Sequence, residues 1–130
     1  MNKGQSLIEI LVALGIASLV LLGIVKASTV SVKNANYSQN QTMATSLAQK
    51  KMAEVIKLKN LNPTSFFSSG QTSEQEPLEN YCRKTVVSSN GFTATIVIDV
   101  FWGEEGEGSD CDLKKYLYKY HLESNVTDQE

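Results

Sequence analysis

With 130 residues, and a first half that reads as one long helix, the chain has room for a single small head and no second domain. Its net charge of −2 hides a division. Residues 1 to 62 carry seven lysines against Glu9 and Glu54, net +5, and residues 63 to 130 carry five basic against twelve acidic groups, net −7. One histidine and two cysteines do not make a zinc set, and the chain has no nucleophile motif, no phosphate loop and no paired carboxylates in a plausible cleft. Catalysis, a bound metal and a cofactor are therefore not expected.

From Leu7 to Val25 every residue except Glu9 is apolar or small, and the stretch lies between Lys3 and Lys26 without a proline. A helix rising about 1.5 Å per residue needs roughly twenty residues to cross the hydrocarbon core of a bilayer, so this is a membrane anchor by composition. Glu9 does not fit that reading, because a carboxylate inside the apolar run costs a few kcal/mol on insertion scales of about 2.5 to 3.5. A position near the membrane surface would reduce that cost. An ordinary secretory signal fits poorly, since no small-x-small cleavage site follows the apolar run and a helical pattern continues past it.

Lys3-Gly4 followed by Gln5-Ser6-Leu7-Ile8-Glu9-Ile10-Leu11-Val12-Ala13-Leu14 resembles the class III leader of type IV pilins and type II secretion pseudopilins. The resemblance implies that a membrane-embedded prepilin peptidase cuts between Gly4 and Gln5, that the new amine on Gln5 is methylated, and that the mature chain keeps its anchor. The family usually has phenylalanine where this chain has Gln5, and that departure bears on methylation more than on cleavage. Glu9 falls on the family's glutamate. In that setting its carboxylate pairs with the free amine at position 5 of a neighbouring subunit, neutralising two charges that are each costly in an apolar bundle. The presence of Glu9 argues against the topmost position of a filament.

In chain order, the expected organisation is a cleaved leader at 1–4, a membrane and filament-core helix at 5–26, its amphipathic continuation at 27–61, a connecting loop at 62–80 and an antiparallel head at 81–130. Gly15 and Gly23 allow neighbouring backbones to approach the first half of the helix, or simply reflect membrane-helix composition. Residues 27 to 41, rich in Ser, Asn, Thr and Gln, make a poor helix by propensity. From Thr42 the pattern sharpens: Ala44, Leu47, Ala48, Met52, Val55 and Ile56 recur at three- and four-residue spacing and form a stripe for a sheet. Pro63 disfavours a helical Asn62 and sets the stop, giving a helix of about 55 residues and about 80 Å.

After a loop from Asn60 to Asn80, with Phe66-Phe67 either tucked beneath the head or presented as a contact, strands are expected at Tyr81 to Ser88, Phe92 to Trp102 and Leu113 to Leu122. Asn90-Gly91 is the turn signal between the first two, because both central residues of a type I′ turn need positive φ. In the second strand Phe92, Ala94, Ile96, Ile98, Val100 and Trp102 alternate with more polar residues, so one face meets the helix. The third puts Tyr116, Tyr118 and Tyr120 on one face and Lys115, Lys119 and His121 on the other, and Ser124 to Glu130 reads as a polar tail. The fold class is α+β, a long N-terminal helix on a small antiparallel sheet, which is the pilin plan.

More narrowly, Val97-Ile98-Asp99-Val100-Phe101-Trp102 and Ala48-Gln49-Lys50-Lys51-Met52-Ala53-Glu54 resemble the minor pilin V and minor pseudopilin I group. With the head outside the cytoplasm, as that family implies, Cys82 and Cys111 pair as a disulfide, the alternative being two buried thiols. The acidic segment Gly103 to Asp112 offers Glu104, Glu105, Glu107, Asp110 and Asp112 to calcium, yet matches no EF-hand spacing and reads better as a solvated loop. Lys50, Lys51, Lys57 and Lys59 lack the interleaved aromatics of a nucleic-acid face and are expected to meet acidic heads of neighbouring subunits. His121 reads as a solvated strand residue.

The expected function is that of a minor pilin-like structural subunit of a type IV pilus, at or near the filament tip, with a minor pseudopilin of type II secretion or competence, or a membrane-anchored binding or accessory protein that never polymerises, as alternatives. Other pilin or pseudopilin subunits, prepilin peptidase, the cytoplasmic membrane and an assembly platform are the expected partners. The expected location is the inner membrane with the head outside the cytoplasm, then a surface or periplasmic filament.

Overall fold

A computed structural model describes residues 3–103, 111 and 116–128, with side chains from Leu7 onward. The order is α1 (Lys3–Leu61), α2 (Pro63–Ser68), β1 (Gln71–Leu78), β2 (Tyr81–Ser89), β3 (Thr93–Trp102) and β4 (Tyr118–Thr127). The strands form one antiparallel sheet in the order β1-β2-β3-β4. The chain divides into two compact units, residues 1–39 and 40–130.

The first unit is α1 as far as Gln39, and every residue from Leu7 to Gln39 is exposed. Its polar stretch stays helical: neither proline nor glycine falls between Gly23 and Pro63, and extending a formed helix adds one hydrogen bond per residue ordered. Ser18 and Thr29 donate their hydroxyls to the carbonyls of Leu14 and Val25, at 2.8 and 2.9 Å, so neither hydroxyl is left to demand water.

The second unit holds the core. Ala44, Ala48, Met52 and Val55 of α1 pack with Phe67 of α2, Val87 of β2, and Ala94, Ile96, Ile98, Val100 and Trp102 of β3. The stripe thus meets the sheet as its spacing predicts, and two alanines on that face bring helix and strands close. Asn62, at φ −140°, leaves the helical region just before Pro63, which ends α1. The same proline then opens α2 from its first turn, where its missing N–H costs nothing. Phe67 is buried and Phe66 packs edge-on against it at 5.4 Å, so burial is the outcome for this pair.

Three expectations are corrected. The segment 62–80 is not a loop: it holds α2 and β1, so the sheet begins at Gln71 and not at residue 81. β1 escaped reading because it lacks alternation, being polar and exposed along most of its length, and because Pro77 is tolerated only where a strand has no ladder to complete on one side. The last strand is Tyr118–Thr127, so Ser124 to Thr127 is paired with β3 and is not a tail, while Tyr116 precedes the strand and lies 6.3 Å from the Phe101 ring. Lys115 lies outside the described residues.

The turn between β2 and β3 is also displaced by one residue. Asn90 and Thr93 face each other, Gly91 and Phe92 form the loop, and Phe92 is 81% exposed instead of joining the inner face. Asn90 Oδ1 accepts from the backbone N–H groups of Phe92 and Thr93 and from Thr93 Oγ1, at 3.2, 2.9 and 2.9 Å, so its side chain does the work of a turn carbonyl. Gly91 has φ +98° and open space where a Cβ would stand. Gly91→Ala should therefore cost only backbone strain, about 1 to 2 kcal/mol, measured by urea unfolding of the full chain in detergent with Trp102 fluorescence as reporter.

Candidate functional site

Gly4 and Gln5 lie in the first turn of α1, and Glu9 follows one turn later, exposed. The surrounding Leu7, Ile8, Ile10, Leu11 and Val12 are 55 to 64% exposed, so the carboxylate stands among exposed apolar side chains of its own helix. Among the described residues one helix is long and apolar enough to cross a membrane, and it is this one. An exposed apolar helix of this length requires lipid or neighbouring helices around it, and Glu9 in that setting requires a cation or a polar partner.

The head carries a charge cluster that sequence reading missed. Lys51 is buried in the apolar stripe, one position before Met52, and its Nζ lies 3.0 Å from Glu74, 3.4 Å from Glu76 and 3.8 Å from Glu54. Arg83, also buried, donates Nε to Glu76 at 2.8 Å and Nη1 to the Leu47 carbonyl at 3.2 Å, and its Nη2 meets the same Glu76 oxygen. The cluster ties β1 to both α1 and β2. Burial alone would lower the Lys51 pKa, but the hydrogen bond it donates to Glu74 and the fields of Glu76, Glu74 and Glu54 outweigh it and raise the value above 10.5. Burial would likewise raise Glu76, yet the Arg83 hydrogen bond and charge, with Lys51 beside them, hold it below 4.5.

Lys51 is therefore satisfied within its own chain and is not free for a neighbour's acidic head, as its grouping with Lys50, Lys57 and Lys59 suggested. The available signal was its spacing: it stands three residues after Ala48 and four before Val55, on the buried face. Lys59 Nζ reaches the Thr127 carbonyl at 3.5 Å and fastens the other side of the helix to β4.

Cys82 and Cys111 form the expected disulfide, with Cα atoms 5.5 Å apart and a sequence separation of 29. On the outer sheet face Asp99 lies 2.6 Å from His121 Nδ1 and 3.5 Å from Lys119 Nζ, and Glu123 lies 3.6 Å from His121 Nε2. His121 is thus an exposed member of a strand-to-strand charge row. Glu104, Glu105, Glu107, Asp110 and Asp112, the candidates for calcium, lie outside the described residues.

Residues 1–25 match the family model of the prokaryotic N-terminal methylation motif. Comparison with curated proteins and with solved structures finds no match. The methylation motif, leading into a long apolar helix and an antiparallel head with a disulfide, supports a type IV pilin-like or pseudopilin protein that is processed by prepilin peptidase and anchored in a membrane.

Proposed function

We propose that this chain is a minor pilin-like structural subunit of a type IV pilus, assembled through its N-terminal helix at or near the filament tip. The observation that carries the reading is the methylation motif running without a break into a helix that is exposed from Leu7 to Gln39 and, but for Glu9, apolar or small from Leu7 to Val25. Such a surface is stable in lipid before assembly and among other helices after it, which is the requirement on a subunit that moves from membrane to filament. Cleavage after Gly4 exposes the amine of Gln5, and Glu9 accepts the amine of a neighbour as each subunit is added. The head then lies outside the cytoplasm and meets other subunits, and the role is structural.

The deciding measurement is the N-terminal mass of the membrane-extracted chain from cells with and without prepilin peptidase. Loss of Met1 to Gly4 only when the peptidase is present is the expected result; an intact leader in both removes the amine and sinks the mechanism. Glu9→Ala should leave cleavage intact and lower incorporation into sheared filaments at least tenfold, read by immunoblot. Unchanged incorporation would make Glu9 an interface residue of a plain anchor. A pseudopilin of type II secretion or competence shares the motif, and deletion separates it from the pilus reading by which system fails.

A further inference from the structure

We propose that Asn125 of β4 is the acceptor of an N-linked glycan, transferred outside the cytoplasm by a membrane oligosaccharyltransferase from a polyprenyl pyrophosphate carrier. The acceptor signal for such a transfer is Asn-x-Ser/Thr with x other than proline. The chain carries it at Asn36-Tyr37-Ser38, Asn40-Gln41-Thr42 and Asn125-Val126-Thr127, and the fold separates the three. A transferase has to hold the asparagine amide and the hydroxyl two residues later together. In α1, residues two apart point about 200° away from each other round the helix, so the first two signals are split between opposite faces. In a strand such residues stand on one face about 7 Å apart. Asn125 and Thr127 share the outer face of β4 and are both exposed, while Val126 between them packs toward the core.

The surroundings of Asn125 suit an acceptor. β4 is an edge strand paired with β3 alone, so one side of its backbone is open to an enzyme. Asn125 stands opposite Thr95, whose Oγ1 donates to Asn125 Oδ1 at 2.8 Å. The amide oxygen is thereby held toward β3, and Nδ2, the reacting atom, is turned toward the open edge. Glu123, exposed on the same face, adds a carboxylate two residues before the asparagine. In the transfer Nδ2 forms a bond to C1 of the first sugar, the C1–O bond breaks with polyprenyl pyrophosphate as the leaving group, and the displaced amide proton passes to a base of the transferase. A glycan at this position covers the free edge of β4, which has no proline, whereas Pro77 blunts the opposite edge at β1. The inference rests on the reading that the head lies outside the cytoplasm, and not on filament assembly or a tip position.

The test is mass spectrometry of the full-length chain extracted from the membranes of the cells that produce it. Electron-transfer fragmentation of the tryptic peptide 120–130 should place a glycan on Asn125, with the tryptic peptide 34–50, which holds Asn36 and Asn40, bare. Asn125→Gln and Thr127→Val should each abolish the modification, and Thr127→Ser, which keeps the hydroxyl, should retain it. Both side chains are exposed, so none of these changes empties the core. A bare peptide 120–130, or a sugar linked through the hydroxyl of Ser124 or Thr127, overturns the proposal, as does loss of the glycan in Thr127→Ser together with its survival in Thr127→Val. The N-terminal mass of the same sample separates the two readings. A bare Asn125 on a chain that has lost Met1 to Gly4 overturns the glycan alone, whereas a bare Asn125 on a chain with an intact leader overturns the proposed function as well.

Discussion

Replacing Arg83 by methionine should destabilise the head by about 3 kcal/mol, the lower end of the range of roughly 3 to 5 kcal/mol for removing one member of a buried ion pair. The lower end applies because Glu76 keeps 33% of its side-chain exposure and can recover some hydration once the guanidinium is gone. Two further losses add to the charge. The Leu47 carbonyl loses its guanidinium donor, and Lys51 is left to hold Glu76 without help. Glu76→Gln in the Arg83→Met background should recover part of the loss, because it removes the stranded carboxylate, and the double-mutant cycle measures the coupling. A cycle that closes with no coupling would show that strand pairing, and not the cluster, holds β1.

The cluster also sets how the head responds to pH. The Glu76 carboxyl is lowered on folding, so its contribution is fully present above the ordinary value of 4.5 and disappears as pH falls through the lower folded value. Lys51 is raised, so its contribution is present below 10.5 and disappears as pH climbs through the higher folded value. Urea unfolding of the full chain in detergent should therefore show stability falling on the acid side of 4.5, and a flatter acid limb in the Arg83→Met variant. Trp102, the one tryptophan and 3% exposed, reports the unfolding directly.

Removing the disulfide as Cys82→Ala with Cys111→Ala should cost about 3 to 4 kcal/mol, the chain-entropy value for a closed loop of this length. That is a large share for this head, because a small unit buries a low fraction of its surface and has little stability in reserve. The bond joins the start of β2 to the segment before β4, so without it the connection from β3 to β4 lengthens the unfolded ensemble while the sheet register is unchanged. Reduction of the wild-type chain with dithiothreitol should bring its thermal midpoint to that of the double-alanine variant and leave the variant unmoved. A midpoint insensitive to reductant, with two alkylatable thiols on the extracted protein, would mean that the bond does not form in the cell.

The N-terminal motif, the apolar run with its one carboxylate, the helix stop at Pro63 and the inward row Ala94, Ile96, Ile98, Val100 and Trp102 were all legible in the sequence alone. Each depends on residues near one another in the chain: a hydropathy period, a proline that forbids one conformation of its neighbour, a leader pattern. β1 and the end of β4 were not legible, because an edge strand with polar residues on both faces carries no period, and only its pairing with β2 or β3 makes it a strand. The disulfide lay between these cases, since two cysteines announce a bond but not the geometry that closes it. In the sequence Lys51 is one lysine of a basic helix, and tertiary structure alone brings Glu74 and Glu76 from more than twenty residues away to bury its charge. A cavity beside it has the same origin, because its walls come from α1, α2, β1 and β2, which only the folded chain sets side by side.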